Sequence, residues 1–330
     1  MRVVVLGAGA WGTALAVTLS SRHEVMLWVR DPAQCEQMRT SRTNQRYLPG
    51  ISLPDSLHLS NQASAACAGA ALAILGVTVA GLRATLREVA AIGRPLPTIW
   101  LCKGFEAGTS KLPHQVAAEE LGNEVPRGAL SGPSFAQEVA RGIPAALTLA
   151  ASDPAFAART ARELHSRRLR IYSSDDLTGV EVGAAVKNVI AIAAGISDGL
   201  GFGESARAAL ITRGLAEVTR VGTALGGRTE TFMGLSGLGD LILTCTGSLS
   251  RNRQVGLRLA AGQPLPKILA ELGHVAEGVH SAREVLNLAR QVSAEMPIVS
   301  AVSEVLDGWL SPQAAVDRLL ARDPKPEHPV

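Results

Sequence analysis

The sequence predicts an α/β protein in two parts: a doubly wound parallel sheet over residues 1–176, then an all-α-helical domain over residues 177–330. Three observations predict it. In the first half, short runs of Val, Leu, Ile and Ala alternate with helical segments, the pattern of a parallel sheet covered on both faces. From about Asp176 onward the texture is helical, with no convincing strand. The length, 330 residues, suits about two domains.

Each element follows in order. Arg2–Leu6 is a Val/Leu run that ends in glycine, a buried parallel strand, and Thr13–Ser20 is a helix. Glu24–Arg30 is the second strand. Asp31-Pro32 opens a short polar helix, and 44–54, with Tyr47-Leu48-Pro49-Gly50, is a loop. Ser56–Leu82 lacks Asp, Glu, Lys and Arg, long enough to suggest a membrane span. Asn61, Gln62, Ser64 and many alanines make it weakly apolar, so it divides into a small-residue helix (61–70) and a buried strand (Ala71–Val77), and no membrane span is expected. Gly81–Ala91 is a helix. Thr98–Cys102 is the fourth strand, ending at Lys103-Gly104, and a helix near 111–121 leads to the strand Arg127–Leu130. Ala145–Ala150 and Leu169–Tyr172 are further strands. The helices of the second half are Glu181–Ala194, Ser205–Leu225, 241–244 with its surroundings, Arg251–Ala261, Pro266–Leu272, Ser281–Gln291, Ala301–Gly308 and Pro312–Ala321. The tail after Asp323 has three prolines and no periodicity, and is expected to fray.

Composition narrows the function. Apolar residues make up 47% and charged residues 18%, which excludes the disordered class. A net charge of +3, spread along the chain, gives no footprint for nucleic acid. The four cysteines match no zinc or CxxC spacing and read as reduced thiols of a cytoplasmic protein. The N-terminus meets glycine too early for a signal peptide. The histidines form no paired-ligand spacing, so no metal is predicted. The basic residues are lopsided: of 32, only five are lysine, at 103, 111, 187, 267 and 325. A lysine kept in an apolar segment of an arginine-rich chain supplies what arginine cannot, a compact ammonium able to lose its proton.

Gly7-Ala8-Gly9-Ala10-Trp11-Gly12 fits G-x-G-x-x-G between a strand and a helix, the context that makes this motif a Rossmann dinucleotide site. Gly7 allows the tight turn, Gly9 lets a pyrophosphate approach, and Gly12 lets helix and strand pack. The helix start presents free N–H groups to the phosphates. At the end of the second strand, Arg30 suits a 2′-phosphate or stacking on adenine, and Asp31 suits a ribose 2′-hydroxyl, so NAD and NADP both remain open.

Several motifs in order carry a resemblance. They are GAGAWGTALA at 7–16, Trp28-Val29-Arg30, Tyr47-Leu48-Pro49-Gly50, Lys103-Gly104, Ser131-Gly132-Pro133-Ser134-Phe135-Ala136 and Val186-Lys187-Asn188-Val189. They continue with Ala209–Gly214, Gly237-Leu238-Gly239-Asp240-Leu241, Ser250-Arg251-Asn252 and Ala276-Glu277-Gly278. Together, from about residue 2 to about 310, the chain resembles the bacterial NAD(P)-dependent glycerol-3-phosphate dehydrogenases. The resemblance implies reversible hydride transfer between NAD(P)H and dihydroxyacetone phosphate, giving sn-glycerol 3-phosphate for glycerophospholipids. Two positions depart from the family: Gly76-Val77-Thr78-Val79 stands where Ala-Val-Pro-Ser is usual, and Ser205 where Asn is usual.

That chemistry needs an acid/base, a phosphate holder and a cofactor seat. Lys187 lies in an apolar helix whose i±3 and i±4 neighbours, Gly183, Ala184, Ile190 and Ala191, carry no charge. Burial there lowers an ammonium's pKa toward the working range; the bland alternative is a lysine snorkelling to solvent. The resemblance implies that Lys187 is the proton acceptor. Asn188 can bond substrate or orient its neighbour. Asp240 reads as an N-cap, as a hydrogen-bond partner of a substrate hydroxyl, or as a carboxylate tuning Lys187. Thr244, one turn on, shares its face. Ser250, Arg251 and Asn252 suit a phosphate dianion at a helix start, or an ordinary cap with a surface arginine. Lys103 ends a strand at the ligand-binding edge. The resemblance implies substrate contacts at Lys103, Gly132, Ser134, Lys187, Asp240, Ser250, Arg251 and Asn252. It implies cofactor contacts at Gly7, Gly9, Ala10, Trp11, Gly12, Arg30, Lys103, Ala136, Arg251, Val275 and Glu277. A homodimer through the helical domain is the expectation by analogy. The competing readings are a two-domain dehydrogenase of a hydroxy acid and a non-catalytic dinucleotide sensor.

Overall fold

A computed structural model describes residues 1–273 and 276–323. The first part runs β1 (Arg2–Leu6), α1 (Ala10–Leu19), β2 (Glu24–Trp28), α2 (Pro32–Ser41), β3 (Thr43–Asn44), β4 (Leu48–Ser52), β5 (Leu57–Ser60), α3 (Ala63–Cys67), β6 (Leu72–Leu75) and α4 (Val79–Ala90). It continues with β7 (Thr98–Trp100), α5 (Pro113–Leu121), β8 (Arg127–Ser131), α6 (Ala136–Ala140), β9 (Ala145–Ala151), α7 (Pro154–Leu164) and β10 (Leu169–Ser174). The second part is α8 (Leu177–Gly199), α9 (Gly203–Ala224), α10 (Thr229–Phe232), a π-helical turn (Leu235–Gly239), α11 (Asp240–Thr246), α12 (Arg251–Ala260), α13 (Leu265–Leu272), α14 (Glu277–Gln291), α15 (Pro297–Leu306) and α16 (Pro312–Leu320). The proline-rich tail from residue 324 lies outside the described residues.

Eight strands form one sheet in the order β10-β9-β8-β7-β6-β1-β2-β5. All neighbours are parallel except β8 and β9. The parallel sheet expected from sequence thus carries one antiparallel pair. Residues 132–144 leave and re-enter the sheet at the same edge, Ser131 pairing with Thr148 and Gly128 with Ala151, so the chain turns back instead of crossing over. The segment 44–54, expected as a loop, contributes a small antiparallel pair of β3 and β4. Leu57–Ser60, inside the stretch weighed as a membrane span, is instead the edge strand β5. Among the described residues one helix, α8, is long and apolar enough to cross a membrane, and that window is wholly buried in the protein.

The sheet's two faces make two cores, one under α1 and α7, the other under α4 and α5. The helical part has its own core, built around α8. Asp176 starts α8: its Oδ1 accepts the Gly179 N–H at 2.8 Å and its Oδ2 the Arg228 N–H at 2.9 Å. Leu177 and Val180 pack in the sheet's core, while Val182 onward packs in the helical core, so α8 spans both. A helix apolar all round must be buried. Four of its polar side chains, Glu181, Lys187, Asn188 and Ser197, are buried too, and each needs a partner from elsewhere in the fold.

One glycine contact sets the site's frame. α8 and α12 cross so closely that a Cβ on Gly256 would overlap the Ile192 carbonyl oxygen, and one on Gly195 the Arg253 carbonyl oxygen. Gly256→Ala is expected to force the helices apart at a cost of about 1–3 kcal/mol. Because α12 begins at Ser250-Arg251-Asn252, the KM for substrate should rise as the melting temperature falls by several degrees. A melting temperature unchanged within about 1 °C would refute this account of the crossing.

Candidate active site

The glycine loop lies at the carboxyl edge where β1 stands between β6 and β2, the point at which strand order reverses and ligands bind in such sheets. Gly7 has φ +117°, and a Cβ there would lie 2.8 Å from the Gly76 carbonyl oxygen. A Cβ on Gly76 would lie 2.7 Å from Gly12 Cα, so the two glycines let β6 and the start of α1 approach closely. Gly9 is the N-cap of α1 and provides no side-chain cap, and no acid stands in the first turn. The first N–H groups, at Ala10 and Trp11, are thus open to an anion, which is the fit a dinucleotide pyrophosphate needs. Trp11 and Ala136 pack on the same small cluster of Ala14, Leu48 and Ile51, so Ala136 sits beside the loop. At the end of β2 the two candidates part. Asp31 caps α2, its Oδ1 accepting the Ala33 N–H at 2.9 Å. Arg30 is exposed and has no ion pair among the described residues.

Lys187 does not snorkel. It is 5% exposed, and its Nζ donates to Asp240 Oδ1 at 2.6 Å and to Thr244 Oγ1 at 2.7 Å. Lys103 Nζ donates to the other carboxylate oxygen, Asp240 Oδ2, at 2.6 Å and to the Gly132 carbonyl oxygen at 3.4 Å. One carboxylate, itself 1% exposed, therefore bridges two ammonium groups. Burial pulls the Lys187 pKa down to about 8; the Lys103 charge adds to this, and Asp240 opposes it. Of the three readings of Asp240, the N-cap is not what the structure shows. Gly239 is the N-cap of α11, and the Asp240 side chain turns to the lysines. The π-helical turn before it and the hydroxyl of Thr244, which donates to the Asp240 carbonyl at 2.6 Å, hold that turn of backbone.

Beside the lysines lies an amide pair. Asn252 Nδ2 donates to Asn188 Oδ1 at 3.0 Å, and Asn252 Oδ1 accepts the Gly278 N–H at 3.0 Å. Asn188 Nδ2 is buried with no protein partner among the described residues, a donor left over next to Lys187. Ser250 caps α12, its Oγ accepting the Arg253 N–H at 3.3 Å, so its plain role as a cap is realised. Arg251 is exposed in the first turn of α12. Glu277 opens α14 and accepts the Lys103 backbone N–H; burial raises its carboxyl pKa, while Arg251, Lys103 and Lys187 oppose the rise. Gly132 has φ +144°, and Ser134 Oγ donates to its carbonyl at 3.1 Å. Val275 lies outside the described residues. Ser205 is exposed in the first turn of α9.

The structure thus joins Lys103, Gly132, Lys187, Asp240 and Glu277 in one electrostatic cluster, with Asn188, Asn252 and the start of α12 alongside. Among the buried carboxylates that the sequence reading passed over, two bind the stretch between β7 and α5. Glu181, on α8, accepts from Trp100 Nε1, from the His114 backbone N–H and from His114 Nδ1. Glu284, on α14, accepts from the Gly108 N–H and from Ser110 Oγ. The signal for Glu181 was the same as for Lys187, a lone charge in an apolar helix. Among the described residues no cluster of three His, Cys, Asp or Glu could hold a metal ion.

Known proteins resemble this chain over both of its parts. Residues 2–157 match the model for the N-terminus, and residues 176–317 that for the C-terminus, of NAD-dependent glycerol-3-phosphate dehydrogenase. The chain is 58% identical over 327 residues to the glycerol-3-phosphate dehydrogenase [NAD(P)+] of Dechloromonas aromatica, covering 99% of each chain. It is 59% identical over 327 residues to that of Nitrosomonas eutropha, again covering 99% of each. The solved glycerol-3-phosphate dehydrogenase of Coxiella burnetii superposes with a TM-score of 0.93 at 40% identity, covering 97% of this chain and 99% of the other. The chain belongs to the NAD-dependent glycerol-3-phosphate dehydrogenase family.

Proposed function

We propose that the protein is an NAD(P)-dependent sn-glycerol-3-phosphate dehydrogenase that reduces dihydroxyacetone phosphate, and that it works in the cytoplasm to supply the glycerophosphate of phospholipids. Residues 1–176 hold the cofactor and residues 177–330 the substrate. The observation that carries this reading is a buried lysine, with a pKa of about 8, held 2.6 Å from a carboxylate that a second lysine shares.

A bound nicotinamide supplies the hydride in reduction and accepts it in oxidation. The protein supplies the rest. Lys187, as an ammonium, gives its proton to the oxygen of the carbonyl being reduced; as an amine it takes the hydroxyl proton in the reverse direction. Asp240 keeps the resulting charge balanced and holds both lysines in place. Lys103 presents its ammonium to the same oxygen or to the phosphate. Arg251, the start of α12 and the free Asn188 Nδ2 bind the phosphate dianion. The test is oxidation of NADH and NADPH in the presence of dihydroxyacetone phosphate. Turnover is expected with that substrate and not with simple hydroxy or keto acids. Absence of turnover with both cofactors, in folded protein, would overturn the reading.

The division of labour between Arg30 and Asp31 adds a preference. With Asp31 engaged in capping and Arg30 free, the site favours NADPH. Arg30→Ala is expected to raise the KM for NADPH about tenfold or more, the worth of a charge-assisted hydrogen bond, and to leave that for NADH within about twofold. An equal rise for both cofactors would show that Arg30 does not read the 2′-phosphate.

A further inference from the structure

We infer that Glu181 and Glu284 are positioning residues that fasten the segment 100–114, and with it Lys103, to the helical domain. The inference rests on the dehydrogenase reading above and extends it to residues that touch neither substrate nor cofactor.

By sequence the segment belongs to the sheet domain: it follows β7 and leads into α5. By packing it is shared: Trp100 and Leu101 lie in the sheet's cores and Glu106 pairs with Arg83 of α4 at 2.7 Å, while other residues reach the helical domain. Phe105 and Leu112 are part of the helical core. One face of α14 grips the segment along its length. Glu277 accepts the Lys103 N–H, and Ser281 Oγ packs against Gly104, 3.1 Å from where a Cβ would be. Glu284 accepts the Gly108 N–H at 3.1 Å and the Ser110 hydroxyl. Positions 277, 281 and 284 follow one another at helical spacing on a single face. Ser110 has φ +55°, a left-handed backbone that serine adopts only when its surroundings impose it. At the segment's ends, Glu181 accepts the Trp100 indole N–H at 2.9 Å and the His114 backbone N–H at 3.0 Å. Trp100 stands three residues before Lys103, and Glu181 stands six residues, about 9 Å of helix, before Lys187.

Neither carboxylate meets an arginine or lysine among the described residues, and both are buried, Glu181 at 3% and Glu284 at 7% exposed. Burying a carboxylate is costly, and apolar contacts would hold two surfaces together at less cost. What a carboxylate adds is direction. Its oxygens accept from particular N–H and O–H groups and so fix the register of one segment on another. Here the register that matters is that of Lys103 against Asp240 and Lys187, which depends on contacts within 2.6 Å. Lys103 is thereby set by α8 and α14 as well as by the sheet edge, where its Nζ also donates to the Gly132 carbonyl oxygen.

The test uses Glu284→Ala, Glu284→Gln and Glu181→Gln in the full chain. Glu284→Ala is expected to lower kcat about tenfold or more through loss of alignment, with the KM for NADPH unchanged within about twofold. With Lys103 loosened, Lys187 loses its nearest like charge, so the high-pH limb of the reduction profile moves upward. Glu284→Gln keeps an oxygen for the Gly108 N–H and should recover most of the activity, and Glu181→Gln should behave likewise at its own end. Amide hydrogen exchange over 103–112 should quicken in Glu284→Ala; this readout needs no turnover and stands even if the dehydrogenase reading fails. In a Lys103→Ala background, Glu284→Ala should cost little further activity. A Glu284→Ala protein with a lowered melting temperature but an unmoved kcat and pH limb would overturn the proposal, as would full additivity with Lys103→Ala.

Discussion

Lys187→Met is expected to fold normally and to lose between about a hundredfold and ten-thousandfold of kcat, the range a positioned acid/base contributes. Methionine matches the length of the lysine stem and fills the same buried space, so packing is kept. Asp240 retains Lys103 as a partner, so no carboxylate is left bare. Lys187→Arg should be nearly as inactive, because a guanidinium keeps its proton at any working pH. In the unchanged protein, reduction needs the ammonium, so its rate should fall as pH rises through about 8, and oxidation should rise over the same interval. Stability carries a matching signature. The folded pKa of about 8 lies below the ordinary 10.5, so the folded state binds fewer protons than the unfolded chain between these values. Stability therefore rises with pH in that window, by about 3 kcal/mol for this group alone. Chemical denaturation of the two proteins from pH 8 to pH 10 should show the original gaining on the methionine variant. Substantial turnover by either variant would remove Lys187 from the proposed chemistry.

Asp240→Asn should damage both stability and activity. It leaves two ammonium groups facing each other across a neutral amide in a buried site. Removing one partner of such a cluster costs roughly 3–5 kcal/mol. The protein's response is to shed a proton. Asp240 raises the Lys187 pKa more than Glu277 does, and burial and Lys103 lower it, so without the Asp240 carboxylate Lys187 titrates below 8. Reduction at neutral pH should fall about a hundredfold, and part of the loss should return on acidification, as the ammonium form is restored. The measurement is a pH–rate profile beside a denaturant melt. A limb that stays at its original position, or moves to higher pH, would mean that Asp240 does not govern the charge of Lys187.

Much of the fold was legible because strands and helices announce themselves over a few neighbouring residues. The Val/Leu run before Gly7, the turn motif through Gly12 and the apolar stretch around Lys187 are local facts. The edge strand β5 was not legible: His58 and Ser60 interrupt its short apolar pattern, and only pairing with β2 defines it. The antiparallel β9 was not legible either, since strand direction depends on the length and path of the connection, not on the strand's own residues. At the site, the sequence left Asp240 with three readings. The structure closes one, because its carboxylate is turned away from the backbone N–H groups it would cap.

By itself, the sequence determined that the chain has a glycine turn for a pyrophosphate and a lysine set in an apolar helix. Both depend on residues within about four positions of each other, the range over which backbone conformation and helical faces are decided. Only the tertiary structure decided what that lysine meets. Asp240 is 53 residues from Lys187 and 137 from Lys103, and Phe105, two residues after Lys103, packs in the helical core although the segment is contiguous with the sheet. A charge's pKa responds to distance in space and to burial, and neither is written in spacing along the chain.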